Sequence, residues 1–421
     1  MVSPAIDETV QANLKWNFSV NLVDISFITL GLSLISRETV MPILVSSLTD
    51  SKMAIGMIAA LWGLGIYLPQ LFTANYAERL RYKKPFLMVL SSFGERLPYL
   101  LIGIAVWLFA VSSPTLALVL FFVFLTTAAF SAGAGTPAWF DMIAKVIPVQ
   151  RRGLWAGIGS GLGALMGIAG AYFVGRILDS YPYPGNFAFL FVLAFIFVSI
   201  SWVGLALNRE PPSEIVKHPV SQVTYFRRLP AILRANENYR RFFVARTIVQ
   251  FGTMAGGFFI IYGSERFDLD GTGIGALTAV LIGSQALMGL VWGLIGDRLG
   301  HKAVLTCAAV AVALAAFVTL IAPTQEWLFV TFFLMGAYLV ADWVSSLNII
   351  LEFCDPADRP TYIGLTNTLL APSIVLAPLI GAWLATAVGY PGLMVVAALF
   401  AIVGALLFAF WVKEPRQAPS T

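Results

Sequence analysis

Residues 183–211 read YPGNFAFLFVLAFIFVSISWVGLALNREP. Between the Tyr-Pro-Gly opening and the Arg-Glu-Pro close there is no charged side chain. About 20 apolar residues in an α-helix cross roughly 30 Å of hydrocarbon, so this stretch predicts a membrane-crossing helix. The turn residues open it, and Glu210-Pro211-Pro212 stops it. Residues 390–415, YPGLMVVAALFAIVGALLFAFWVKEP, follow the same plan and end in Lys-Glu-Pro.

The whole chain shares this character. Of its 421 residues, 59% are hydrophobic and 11% charged, where a soluble domain carries about a quarter charged. The apolar runs are continuous rather than alternating, which favours helices over a barrel. Spans are predicted near 16–47, 52–76, 86–110, 115–146, 153–178 and 185–207, then 241–264, 272–295, 303–322, 327–352, 361–388 and 391–412. Pro42 predicts a kink near the end of the first. The fold class is therefore an all-α membrane protein of twelve transmembrane helices. Its domains are an N-terminal bundle (1–207), a linker (208–240) and a C-terminal bundle (241–421).

The net charge of +4 does not indicate nucleic acid, because the cations sit in short loops beside apolar runs. One set of loops holds Arg79, Arg81, Lys83, Lys84, Arg151, Arg152, Arg227, Arg228, Arg298, Lys302 and Arg359. The alternate loops hold little more than Lys52 and Arg266. Basic loops face the cytoplasm, so both termini and the linker are expected there, in a multi-pass protein of the cytoplasmic (inner) membrane. Asp7 and Glu8 stand where a cleavable signal would be basic, so the first span is expected to stay as an anchor. Residues 222–241 (QVTYFRRLPAILRANENYRR) read as a helix lying on the inner leaflet, with a calmodulin-like target as the other reading.

The two halves repeat one another. Beyond the paired Tyr-Pro-Gly openings, Ile55-Gly56 matches Ile274-Gly275, and Glu78-Arg79 matches Asp297-Arg298. Lys83 matches Lys302, and Pro148 with Arg151 matches Pro356 with Arg359. These pairs recur in chain order at similar spacing, as a duplication requires.

The stretch Gly293-Leu-Ile-Gly-Asp297-Arg298-Leu-Gly300-His301-Lys302 resembles the loop signature G-x-L-a-D-R-x-G-R-K of the major facilitator superfamily. The first-half copy, Ala74-Asn75-Tyr76-Ala77-Glu78-Arg79-Leu80-Arg81-Tyr82-Lys83, departs from it more. The resemblance implies two six-helix bundles, alternating access, and a cytoplasmic gate of Asp297, Arg298 and Lys302 with Glu78, Arg79 and Lys83. Asp141, Glu352 and Arg359 lie near inner helix ends as partners for it. Two marks of drug–proton antiporters are missing. The fifth span has Gly159, Gly163 and Gly167 but no Gly-Pro, and the fourth has no mid-membrane Arg. The glycine run reads as tight helix packing.

A charge at the bilayer centre costs roughly 2.5–3.5 kcal/mol on insertion scales, so each retained one is a candidate. The first span carries Asp24 and Arg37-Glu38, with Asn17, Asn21 and Asp24 on one face and Ser26, Thr29, Ser33 and Arg37 nearly opposite. The third carries Glu95-Arg96, read either as a structural pair or a functional one. The seventh carries Arg246 and Gln250, and the tenth Asp342, Trp343 and Asn348. In this superfamily spans one, four, seven and ten line the cavity, which favours Asp24, Arg37, Glu38, Arg246, Gln250 and Asp342. Trp343 is a candidate platform for substrate, while the other tryptophans read as interface anchors. Low dielectric favours the protonated carboxyl and a neighbouring Arg the ionised one. Proton coupling, uniport and sodium coupling remain open.

The expected function is secondary active transport of a small polar or amphiphilic solute by a monomer in lipid, with H+ as a candidate second cargo. No cofactor, metal or nucleic acid is expected. An enzyme would need a nucleophile or metal cluster, yet the two histidines, His218 and His301, are placed in loops. Cys307 and Cys354 have no metal spacing and read as buried apolar side chains. The alternatives are a scaffold or assembly protein on a transporter-like fold, and a flippase for a lipid-linked substrate.

Overall fold

The computed structural model describes residues 4–77, 79–213, 236–353 and 359–415. Its first helices are α1 (Pro4–Leu34), α2 (Val40–Leu48), α3 (Lys52–Ala77), α4 (Lys84–Phe109), α5 (Pro114–Val146), α6 (Val149–Ser180) and α7 (Gly185–Ala206). Then follow α8 (Glu237–Gly252), α9 (Phe258–Phe267), α10 (Gly271–Leu299), α11 (His301–Ile321), α12 (Trp327–Glu352) and α13 (Arg359–Leu406). Among the described residues, 11 helical stretches are long and apolar enough to cross a membrane. The last of them is broken at Gly389, whose φ of 74° lies in the left-handed region that glycine enters without steric cost. Counting its two parts separately gives the twelve spans expected.

Three local departures from the hydropathy pattern bear on the site. The first span is not one helix. α1 ends at Leu34, and Arg37 and Glu38 lie in the break before α2. Arg37 therefore does not extend the Ser26–Thr29–Ser33 face. The polar run Ser36–Thr39 ends the helix, and the Thr39 hydroxyl bonds that of Thr278 at 2.7 Å. Pro42 does not kink the chain. It lies in the first turn of α2, where an N–H has no helical acceptor. The seventh span is also interrupted: α8 ends at Gly252, a 3₁₀ turn covers Thr253–Ala255, and α9 begins at Phe258. Finally, Leu90–Arg96 within α4 is a π-turn, in which the Leu97 N–H reaches the Ser92 carbonyl.

The contacts divide the chain into two units, Met1–Ser36 with Leu61–Pro219 and Arg37–Ala60 with Val220–Thr421. In the first unit, α1 lies against α6 and α7. Gly159 and Gly163 of α6 meet Ile25 and Thr29 of α1, the close approach that the small-residue spacing predicts. α3 and α5 touch backbone to backbone at Gly65 and Gly133. In the second unit, α8, α11, α12 and α13 share a core that includes Tyr239, Phe242, Val304, Val312, Tyr338 and Phe408. Within this unit the segment Arg37–Ala60 packs on α9 and α13. Lys52 Nζ donates to the Ala385 carbonyl at 2.9 Å and lies 4.1 Å from the centre of the Tyr390 ring.

Cys307 is exposed rather than buried. It shares the outer stripe of α11 with Val310, Leu314, Phe317 and Ile321, an apolar face that lipid covers in a membrane protein. Cys354 and most of 222–241 lie outside the described residues, and the last residues of that segment, from Glu237, begin α8.

Candidate functional site

Among the described residues, each unit holds charged side chains within its apolar helices. In the first, Asp24 is 4% exposed, in the middle of α1. Its Oδ1 accepts from the Ser201 hydroxyl of α7 at 2.6 Å, and its Oδ2 from Trp139 Nε1 of α5 at 3.3 Å. Ser201 in turn accepts from Arg96 NH2 at 3.1 Å. Arg96, also 4% exposed, donates Nε to the Val198 carbonyl at 2.7 Å and NH1 to Ser91 O at 3.1 Å. NH1 also pairs with Glu95 Oε2 at 2.9 Å. Arg96 is the last residue of the π-turn and bonds both to Glu95 beside it and to Ser201 of α7. π-turns are concentrated at functional positions.

In the second unit, Arg246 of α8 and Asp342 of α12 form a 2.7 Å ion pair, their side chains 11% and 24% exposed. The same guanidinium NH1 donates to Ser346, and Tyr338 OH donates to Asp342 Oδ1 at 3.4 Å. Residues 338, 342 and 346 are successive i, i+4 positions, so one stripe of α12 supplies all three partners. Gln250, a turn beyond Arg246, donates to the Thr253 hydroxyl at 3.2 Å, where the helix gives way to the 3₁₀ turn.

The other candidates are placed differently. Arg37 and Glu38 are 3.8 Å apart and 39% and 23% exposed, so they form a loose pair in the break after α1. Trp343 is 68% exposed, and Asn348 is half-buried.

The signature loops do distinct jobs in the two halves. Lys83 is 1% exposed and its ammonium ties down the end of α3, donating to Ala77 O and Leu80 O, each at 2.6 Å. It also lies 3.2 Å from Asp141 Oδ2 of α5. The Glu210 carboxylate accepts the backbone N–H of Lys83 at 2.8 Å and of Lys84 at 2.9 Å, and pairs with Lys145 at 2.7 Å. An anion is thus seated on the exposed N–H groups that open α4. Its sequence counterpart, Glu414, lies against Gly300, immediately before α11. Gly300 has φ 91°, and a Cβ there would collide with the Glu414 carboxylate. Lys302 donates to the Ala409 carbonyl at 2.9 Å. Asp297, Arg298 and Arg79 are exposed, whereas Glu352 is half-buried. Glu78 and the side chain of Arg359 lie outside the described residues.

Sequence reasoning missed Ser201, Trp139, Ser346 and Tyr338, which complete the two clusters. Neutral side chains in apolar spans carry little signal of their own. For Ser346 and Tyr338 the i, i+4 spacing from Asp342 was such a signal. The paired Arg-Glu-Pro and Lys-Glu-Pro ends pointed to Glu210 and Glu414, but as helix stops rather than as anions on a helix start.

Among the described residues, these apolar helical stretches define a polytopic membrane protein. The sequence model of the Major Facilitator Superfamily matches residues 242–421, the second half of the chain. Among solved structures, a mutant of the nucleoside transporter NupG is similar with a TM-score of 0.71 at 12% identity, covering 94% of this chain and 100% of that one. A POT family transporter in complex with a thioalcohol-conjugated peptide gives 0.69 at 15%, covering 96% and 97%. A D-xylose–proton symporter gives 0.69 at 14%, covering 95% and 98%. At these identities the likeness is one of fold. No curated protein matches the sequence.

Proposed function

We propose that the protein is a secondary transporter that moves a small polar or amphiphilic solute across the cytoplasmic membrane by alternating access. The observation that carries this reading is the Arg246–Asp342 pair. A membrane bundle gains nothing from such a pair that apolar packing would not supply, while each charge is costly to insert. A guanidinium and a carboxylate together offer partners to a zwitterionic or multiply hydrogen-bonding solute. Arg246, Asp342, Ser346 and Gln250 are the binding residues in this reading, with Asn348 and Trp343 at its margin. In this reading Asp297, Arg298 and Lys302, with Glu78, Arg79 and Lys83, serve as the cytoplasmic gate. The bundles 1–207 and 241–421, the cytoplasmic termini and linker, and a monomer complete the proposal.

The test is a thermal-shift screen of the purified protein at two pH values against panels of nucleosides, short peptides and sugars, the cargo classes of the similar folds. One class is expected to raise the melting midpoint of the wild type and not of Asp342→Asn. A flat response to all classes favours the scaffold alternative over transport.

A further inference from the structure

We infer that the groove where α4 begins and the chain leaves α7 binds the phosphate of a membrane phospholipid, with Lys84 as the cation that holds it. The inference stands apart from the transport reading, because it needs only that these helices cross a bilayer.

The groove has a volume of about 370 Å³ and is lined by Tyr82, Lys84, Pro85, Met88, Asn208 and Glu210. α4 starts at Lys84 and α7 stops at Ala206, and the two helices lie against one another. The groove therefore sits at a membrane boundary, at the depth of phospholipid headgroups. Trp202 of α7 donates its indole N–H to the Met88 carbonyl at 3.2 Å, and tryptophan favours this depth. Down α4 from the groove, Pro85, Val89 and Phe93 are exposed at every fourth position. They share one outer face, a track on which an acyl chain lies below a headgroup at Lys84. A free phosphate has no use for that track.

The polar lining leaves one cation to serve a ligand. The Glu210 side chain is 2% exposed, and its carboxylate is bonded to the N–H groups of Lys83 and Lys84 and to Lys145. The carboxamides of Asn208 and Asn21 bond one another, at 2.5 and 3.2 Å. Lys84 Nζ gives one N–H to the Asn208 carbonyl at 2.9 Å. Among the described residues, its other two donors remain for an anion, and the exposed Tyr82 supplies a hydroxyl beside them. The surrounding charge has the matching sign. Arg79, Arg81 and Arg209 are exposed at this end of the unit, whereas Asp141 and Glu210 are each paired with a lysine.

The second half shows that the loop does not need this lysine for its own structure. Lys83 and its match Lys302 both donate to backbone carbonyls, and both are present. The residue after Lys302 is Ala303, where the first half has Lys84. The groove is thus a feature of the first half alone, added to a loop that is anchored without it.

The experiment is native mass spectrometry of the delipidated protein with dioleoyl-phosphatidylglycerol, read beside the melting midpoint. The wild type is expected to retain one lipid more tightly than the rest and to gain in midpoint. Lys84→Gln, which still reaches the Asn208 carbonyl, is expected to bind that lipid about tenfold more weakly. Met88→Trp fills the groove without touching a charge and is expected to do the same. Arg81→Gln removes an equal charge outside the groove and is expected to leave that lipid bound. Midpoints equal to the wild type without lipid establish folding; where Lys84→Gln lowers it, Met88→Trp decides. Equal losses in Lys84→Gln and Arg81→Gln, or no loss in Met88→Trp, overturn the site. Displacement of the lipid by dioleoylglycerol, which lacks the phosphate, overturns the role of the phosphate. Inorganic phosphate that raises the midpoint as far as the lipid does overturns the lipid as its source.

Discussion

Arg246 and Asp342 are 2.7 Å apart, one on α8 and the other on α12, and Ser346 shares the guanidinium. Removing one partner leaves the other half-buried and uncompensated. Arg246→Met and Asp342→Asn are each expected to cost about 1–3 kcal/mol of stability, below the range for fully buried pairs because both groups keep some exposure. The double variant is expected to recover part of that loss. Thermal unfolding of the four proteins of the cycle measures it, and additive losses would show that the two groups do not interact.

The Glu210 carboxylate accepts from two backbone N–H groups at the start of α4 and pairs with Lys145. Glu210→Gln keeps the shape and one acceptor but loses the charge. A loss of about 1–3 kcal/mol is expected, with faster hydrogen exchange at residues 83–86. Glu414→Gln is expected to do the same at the start of α11, next to Gly300. Unchanged exchange at both places would show that these carboxylates are not helix anchors.

Gly133 of α5 sits against the backbone of Gly65 and Ile66 of α3, where a Cβ would overlap the carbonyl of Ile66 at 2.6 Å. Gly133→Leu therefore has to force the helices apart. A fall in midpoint and in folded yield is expected, on the scale of about 1–3 kcal/mol for overpacking. Gly153 has no atom within 4 Å of a Cβ, so Gly153→Leu is the matched control and is expected to change the midpoint far less.

Lys52 holds the segment Arg37–Ala60 through the Ala385 carbonyl and the Tyr390 ring, and Tyr390 OH donates to Glu265 at 2.8 Å. Lys52→Met keeps the apolar stem and removes both polar contacts. Faster hydrogen exchange across residues 40–55 is expected, with α12 unaffected. Equal exchange in variant and wild type would mean that packing alone holds the segment.

Much of the architecture was legible because lipid imposes a simple demand. Runs such as 185–207 admit little besides a spanning helix, and the repeated Tyr-Pro-Gly openings with the paired Arg-Glu-Pro and Lys-Glu-Pro ends expose the two halves. The break after Leu34 was not legible, since hydropathy averages Ser36–Thr39 with its apolar flanks. The π-turn was not legible either: Leu90–Arg96 has no proline to mark it. Asp24, Arg96, Arg246 and Asp342 stood out singly by their cost in a membrane. Their partners did not, because Arg96 meets Ser201 across 105 residues and Arg246 meets Ser346 across 100, and single-sequence patterns carry no such distances.

The most direct measurement is uptake of labelled solute into proteoliposomes, using whichever solute stabilises the purified protein. The account predicts saturable uptake by the wild type. It also predicts a rate at least about tenfold lower in Asp342→Asn, a loss of roughly 1.4 kcal/mol. Binding without uptake, or equal uptake by Asp342→Asn, would contradict it.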